Sequence, residues 1–560
     1  MSSSKFSTTL TVSSTLAASI FYLCYNSRKN KRNENLKKYL QGGEDEGLHL
    51  DLVIQQSLSD SSDLSYEQSQ SLGSGLSASS LPDIQENEPM SSASRPTFLG
   101  MTWGVTDDDD LSYRPSTADT NFSRSSFASF FASPSKCIYL DYNGTTPIHP
   151  RVVAAMQPFF TVHFGNPSSS HFYGSKPKEA IVAARKSILG LLHPNHLSKI
   201  RLQEEQDAII FLGCGTEADN LAIHAAIQSQ VDQNKKHHIV TSNVEHPAIM
   251  QYLKALEKRG RISVTYVPVD KEGCVSASDV IDAIRPDETI LVTLMLANNE
   301  SGALQPVKEV AKYCREKSIL FHTDAAQAVG KVSIALDETG ISDCVDMITI
   351  VGHKFGAPKG IACLYVRPHC FSEGQRRELD SSDYMLLGGG QEGGRRAGTE
   401  NVPYIVALGT AADILTAKTK YRQTRWKKNA QRMESMRNRL LKNLTEALGE
   451  DVVKANGPSE PSRRLPNTLS VGIKNIQSGE LLREIQTKLA CSAGSACHSS
   501  GGSLSPVLCA MGVPEEFARG TLRLSVGPDT RQDDVDEASR IIINEVERQL
   551  KTKSESEQSQ

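Results

Sequence analysis

The chain has 560 residues and a formal net charge of −4. It is long enough for two or three domains with large cores, and it lacks the basic excess of a nucleic-acid binder. Its 11 cysteines include no C-x-x-C pair, which argues against a disulfide framework or a structural zinc site and for a reducing compartment; no metal is expected.

The first element is TTLTVSSTLAASIFYLCY, residues 8–25, uncharged and followed by Arg28, Lys29, Lys31, Arg32, Lys37 and Lys38. A spanning helix needs about twenty apolar residues, so this run is marginal. A membrane anchor, a cleaved targeting segment and an unstructured terminus all remain open for residues 1–27. The basic flank would keep the rest of the chain on the cytosolic side. No acidic residue precedes Glu34, which also suits organelle targeting. Localisation therefore stands between cytosol-facing membrane-anchored and mitochondrial, with cytoplasmic as the fallback. Residues 28–136 are rich in serine and acidic groups, as in SLSDSSDLSYEQSQSLGSGLSASS (57–80). Such a stretch cannot bury enough apolar area to offset chain entropy, which predicts a disordered linker.

From Cys137 short apolar runs alternate with amphipathic, helix-length stretches. The predicted strands are 208–213, 237–242, 262–269, 289–296, 318–324, 347–351 and 361–366. This alternation predicts an α/β fold with a mostly parallel seven-stranded sheet flanked by helices, over residues 137–404. Residues 405–552 read as a smaller C-terminal α+β domain, and 553–560 as a tail. The first residues of the large domain are expected to pack with the small one.

Ligands of such sheets bind at the carboxyl ends of the strands. There the sequence puts Gly215 and Thr216 in a glycine turn opening a helix, a ready anion site. It also puts His246, the group Asn298, Asn299 and Glu300, then Asp324 with Gln327 one turn on, and Lys354 after MITIVGH. Singly, each has a structural explanation: a satisfied polar core group for the histidine, a helix N-cap for the aspartate. Together they match the needs of pyridoxal 5′-phosphate (PLP). Its phosphate needs the helix N-terminus, its ring nitrogen a carboxylate, and its aldehyde a lysine. Hydride transfer on a dinucleotide fold, which the loose match GCGTEA would allow, needs neither that lysine nor that carboxylate. Lys354 is preferred over Lys359, which lies in the turn beyond. Further on, Cys497 lies in the Gly/Ser-rich stretch LACSAGSACHSSGGSLSPVLCAMGV (489–513). That composition predicts a loop carrying an exposed thiol, with Cys491 as a rival and Cys509 read as buried. Arg523 is a candidate clamp for a substrate carboxylate.

These strings carry a resemblance. YLDYNGTTP (139–147), GTEADN (215–220), EHPAI (245–249), MLANNESG (295–302), HTDAAQA (322–328), VGHKF (351–355), GGGQEGGRRAGTEN (388–401), GSACHSSGG (494–502) and TLRLSVG (521–527) are similar to motifs of the cysteine desulfurase and selenocysteine lyase family. This family belongs to the class V aminotransferases, fold type I of the PLP enzymes; within it the chain looks most like selenocysteine lyases. The resemblance implies that Lys354 carries PLP, that Gly215, Thr216 and Gln327 hold its phosphate or phenolic oxygen, and that His353 lines the phosphate end. It implies that His246 stacks on the ring and moves protons, that Asp324 pairs with the ring nitrogen, and that Asn299 lies over cofactor and substrate. Thr399 would reach the phosphate of a neighbouring subunit, implying a homodimer. Cys497 would take sulfur or selenium from L-cysteine or L-selenocysteine, leaving L-alanine, and pass it to an acceptor protein; Arg523 would hold the substrate carboxylate. Rival readings are an aminotransferase or C–S β-lyase that does not use Cys497, and an inactive membrane-tethered scaffold. The chain departs from the usual family pattern at Gly144 (usually alanine), Val351 (often serine), Gly393 (arginine) and Ala397 (serine).

Overall fold

The computed structural model describes residues 137–194, 206–232, 235–493 and 504–558. The anchor or targeting segment, the serine-rich linker and Cys497 lie outside the described residues.

Seven strands build the large sheet: β2 (Ile209–Leu212), β3 (His237–Ser242), β4 (Ile262–Val267), β5 (Thr289–Thr293), β6 (Leu320–Asp324), β7 (Met347–Val351) and β8 (Ala362–Val366). Their order is β2-β8-β7-β6-β5-β3-β4. Only β8 runs against its neighbours, β2 and β7; the remaining pairs are parallel. All strands but β8 therefore end at one edge of the sheet.

Both faces of this sheet are buried, which is why its strands read as continuous apolar runs instead of alternating ones. Ile209 and Phe211 join one core cluster while Ile210 and Leu212 join the other. Cys363 and Tyr365 likewise oppose Leu364 and Val366. The first cluster is closed by helices α1 (Phe172–Leu192) and, later in the chain, Val402–Thr416. These two helices cross so closely that a Cβ on Gly409 would lie 2.7 Å from Ala184 Cα. The second cluster is closed by α2 (Gly215–Gln228) and α3 (Pro247–Lys258). The boundary read from sequence between residues 404 and 405 thus falls inside a helix whose Ile405, Leu408 and Ala411 belong to the large core.

The smaller sheet is antiparallel, β12 (Ser492–Ala493), β13 (Thr521–Ser525), β10 (Thr468–Ile473) and β9 (Val453–Asn456) in spatial order. Helices Arg425–Leu448 and Gln532–Gln558 pack on it through Met433, Leu440, Leu444, Val535, Ile542 and Val546. The opening strand β1 (Ile138–Tyr139) pairs with β11 (Leu489–Ala490), and Leu140 is fully buried in this small core. The segment just beyond, Asp141–Gly144, then crosses to the edge of the large sheet. One short stretch of chain thereby joins both sheets where the candidate residues gather.

Candidate active site

β7 ends at Val351, and a single 3-10 turn, Gly352–Lys354, turns the chain out of the sheet. Lys354 Nζ donates to the main-chain carbonyls of Asn143 at 2.6 Å and Gly144 at 3.0 Å. Burial first, and then the Arg523 guanidinium, pull its proton affinity down to about 8; the carboxylates of Asp324 and Asp141 oppose this. Lys359, in the turn beyond, is exposed. Beside Lys354, His353 Nδ1 lies 3.1 Å from Thr145 Oγ1, and burial together with the two lysines lowers its imidazole to about 4.

Asp324 ends β6. It is buried, and its Oδ1 accepts the Ala326 N–H at 2.8 Å. Burial raises its proton affinity, while that N–H, His246 and Lys354 pull the other way. His246 caps helix α3, with Nδ1 accepting the Ala248 N–H at 3.2 Å, which leaves the ring proton on Nε2. The ring is solvent-accessible, yet the protein around it still lowers its basicity, with Asp324 opposing and Lys354 reinforcing. His246 is thus a neutral donor near neutrality. Gln327 is buried; its Nε2 donates to Asn143 O at 3.0 Å and its Oε1 accepts from Lys331 Nζ at 2.9 Å.

Helix α2 starts at Gly215, and its N-cap residue Cys214 makes no side-chain cap, so among the described residues its first-turn N–H groups are available to an anion. A Cβ on Gly215 would meet Val351 Cγ2 at 2.6 Å. Val351 therefore fills the space against this glycine. Glu217 braces the turn: Oε2 accepts the Gly213 N–H at 2.7 Å, and Oε1 pairs with Arg396 Nε at 2.9 Å. That ion pair ties the GGRRAGT segment to the helix start. Thr399, three residues beyond Arg396, is exposed. Gly393 has φ +67°, and its neighbour Glu392 has φ +53°.

Arg523 sits on β13 opposite Ser492. Its guanidinium donates to Asp141 Oδ1 at 2.8 Å, to Ser492 Oγ at 3.2 Å and to Asn299 O at 3.4 Å. Its buried Nε has no partner among the described residues. Asn299 is not at a strand end, as expected from sequence, because β5 stops at Thr293. It lies in the turn beyond that strand, held there by Asn298 Oδ1, which accepts the N–H groups of Glu300 and Ser301 at 2.9 Å each. Asn298 and Glu300 are buried parts of that turn; Glu300 Oε2 accepts Ser505 Oγ at 2.6 Å.

Asn143 binds these parts together. Its N–H donates to Ser525 Oγ, its Nδ2 to Thr468 Oγ1 and Asn299 O, and its Oδ1 accepts from Asn467. Its carbonyl receives both Gln327 and Lys354. Asp141 and Asn143 carry no role in the sequence reading, although both lie within YLDYNGTTP. Their signal was two polar side chains in a motif with no helical or strand period. Gly144 is closely packed: a Cβ there would sit 2.5 Å from Asp141 Oδ2, so a larger residue would have to displace that carboxylate.

Of the rival cysteines, Cys491 is half-buried, and burial and Asp141 push its thiol up to about 12, opposite to an activated nucleophile. Cys509, read from sequence as buried, is exposed on the short helix Pro506–Ala510. A short apolar run, PVLCAMGV, gave the opposite expectation because only one face of so short a helix is covered.

A lysine amine of lowered basicity, a buried carboxylate, an uncapped helix N-terminus, an amide donor and an imidazole fit the aldehyde, ring nitrogen, phosphate and phenolic oxygen of PLP. The class-V aminotransferase family model matches residues 138–538. The chain belongs to that family. It is a fold type I, PLP-dependent enzyme. It is 39% identical over 402 residues to cysteine desulfurase IscS of Clostridium botulinum, covering 72% of this chain and 92% of that one. It is 38% identical over 412 residues to cysteine desulfurase IscS of Methanosarcina thermophila, covering 73% and 92%. Among solved structures, a NifS-like protein matches with a TM-score of 0.61 at 30% identity, covering 74% of this chain and 100% of that one. SspA in complex with cysteine matches with a TM-score of 0.55 at 31% identity, covering 70% and 99%.

Proposed function

We propose that the enzyme removes sulfur from L-cysteine, or selenium from L-selenocysteine, and releases L-alanine. The observation that carries this reading is the meeting of Lys354, Gln327 and Arg523 at one short segment, Asp141–Gly144, with Asp324 beside them. The relatives' names favour cysteine.

In this reading Lys354 holds the PLP aldehyde, Asp324 the ring nitrogen, and Gln327 the phenolic oxygen. The first turn of α2, through Gly215 and Thr216, takes the phosphate, with His353 at that end. When bound, PLP accepts electrons from the substrate's α-carbon. Arg523 orients the substrate carboxylate, with Asn299 alongside. His246, neutral with its proton on Nε2, stacks on the ring and moves protons. The Cys497 thiolate bonds to the substrate sulfur as the carbon–sulfur bond breaks. The electron pair of that bond stays with the carbon skeleton, which takes a proton and leaves as L-alanine. The sulfur, now a persulfide, passes to an acceptor protein. Support for Cys497 comes from the described residues on either side of its segment. Ser492 is bonded to Arg523, and Ser505 is bonded to Glu300, next to Asn299. Cys497 is four positions beyond Ala493 in the chain, a reach of at most about 14 Å.

A homodimer completes the reading, with Thr399 reaching the partner's phosphate. Exposed apolar side chains support it: Phe164 and Tyr173 stack on one another, and Phe172, 84% exposed, meets Tyr173 edge-on. Single large apolar residues at a surface need no explanation, but a run of this kind marks an interaction face.

The test is release of sulfide or selenide, and of alanine, from each substrate by the parent and by Cys497→Ala. Loss of cysteine desulfuration is expected; unchanged sulfide release refutes the role of Cys497 and favours a β-lyase.

A further inference from the structure

Lys331 is a buried lysine that the chemistry above does not use. It lies one turn beyond Gln327, is 6% exposed, and donates from Nζ to Gln327 Oε1 at 2.9 Å. Burial first, and the cationic Lys354 and Arg523 next, make its charge costly there. A lysine kept inside at that cost is expected to make a specific contact.

An ammonium has donors only, whereas a primary amide has one acceptor end and one donor end. Facing Lys331, the Gln327 amide must therefore present Oε1 to the ammonium. This leaves Nε2 on the opposite side, where it donates to Asn143 O, the same carbonyl that receives Lys354 at 2.6 Å. A flipped amide would put Nε2 against the ammonium and Oε1 against a carbonyl, two repulsions at once. Lys331, together with the Asn143 carbonyl, thus sets which end of Gln327 faces the lysine end of the site.

We propose that Lys331 is a positioning residue for the cofactor: its buried ammonium locks the Gln327 amide so that a donor, not an acceptor, faces the phenolic oxygen of PLP. This rests on the reading of Gln327 and Lys354 given above. A donor at that oxygen stabilises its anionic form, so the lock bears on both cofactor retention and the acid–base behaviour of the bound chromophore.

The test compares the parent with Lys331→Met, Lys331→Arg, Gln327→Ala and the double variant Lys331→Met/Gln327→Ala. The readouts are the PLP dissociation constant and the pH midpoint of the bound cofactor's visible absorbance, with PLP as the only probe. Cofactor binding is compared on the acid side of neutrality, where Lys331 is charged. Lys331→Met should weaken PLP about tenfold, the size of a lost hydrogen bond to a charged group, and displace the midpoint. Lys331→Arg, which keeps a charged donor, should restore most of both. In the Gln327→Ala background, Lys331→Met should add nothing, because residues acting through one another are not additive. Parent-like values for Lys331→Met beside an impaired Gln327→Ala overturn the proposal alone, as does an equal effect of Lys331→Met in both backgrounds. A Gln327→Ala variant with parent-like values overturns the cofactor role of Gln327, and the proposal with it.

Discussion

Arg523 donates to Asp141 at 2.8 Å, so the cation proposed to hold the substrate carboxylate is already oriented by a carboxylate of its own chain. Asp141 is carried by the segment that also receives Lys354. The guanidinium keeps a buried Nε without a partner among the described residues. An arginine fork holds both oxygens of a carboxylate, and an ammonium does not reproduce this. Arg523→Lys should therefore raise KM for L-cysteine about tenfold or more. Inhibition by cysteamine, which lacks the carboxylate, should change by less than about twofold. Equal loss for both compounds would assign Arg523 a purely structural part.

The lysine supplies a pH signature. Only the uncharged amine can bond to an aldehyde. With Lys354 held down to about 8, uptake of PLP by cofactor-stripped protein should climb about tenfold per pH unit on the acid side and level off above that value. The same depression has a sign for stability. Between about 8 and the ordinary value of 10.5 the unfolded chain binds more protons at this lysine than the folded one does. The contribution of Lys354 to the stability of cofactor-free protein therefore rises with pH across that window, and a Lys354→Met variant should lack this rise. An uptake profile that keeps climbing to the ordinary lysine value would contradict the burial argument.

The helix start offers a steric test. Gly215→Ala places a methyl 2.6 Å from Val351 Cγ2, an overlap that must move the valine or the first turn of the helix. Overpacking of this kind costs about 1–3 kcal/mol. The variant should bind PLP more weakly and unfold at lower temperature. Val351→Ser in the same chain removes the methyl that clashes and should restore much of both, whereas independent, additive effects of the two substitutions would show that the glycine is needed for another reason.

Much of this fold could be read from the residues because sheet burial leaves a local imprint. Each of the seven predicted runs contains an observed strand, and Asp324 and Lys354 are legible as polar residues placed at the end of a buried apolar run. Strand length was less legible: β5 ends at Thr293, although the N–H groups of Leu294 and Leu296 still donate to His322 O and Asp324 O of β6 at 3.0 and 2.9 Å. What local pattern could not supply was the linkage. Asn143 reaches Asn467 across 324 positions, and Arg396 reaches Glu217 across 179, with no periodicity to announce either contact. Lys331 was hidden for a related reason. One turn after Gln327, it reads as an ordinary surface lysine until the fold buries it.

The most direct measurement reduces the PLP-loaded enzyme with borohydride, digests it, and maps the phosphopyridoxyl group by mass spectrometry. The account predicts one adduct, on the amine of Lys354, and none in Lys354→Ala. An adduct on Lys359 or Lys331 in the parent enzyme, or no adduct at all, would contradict it.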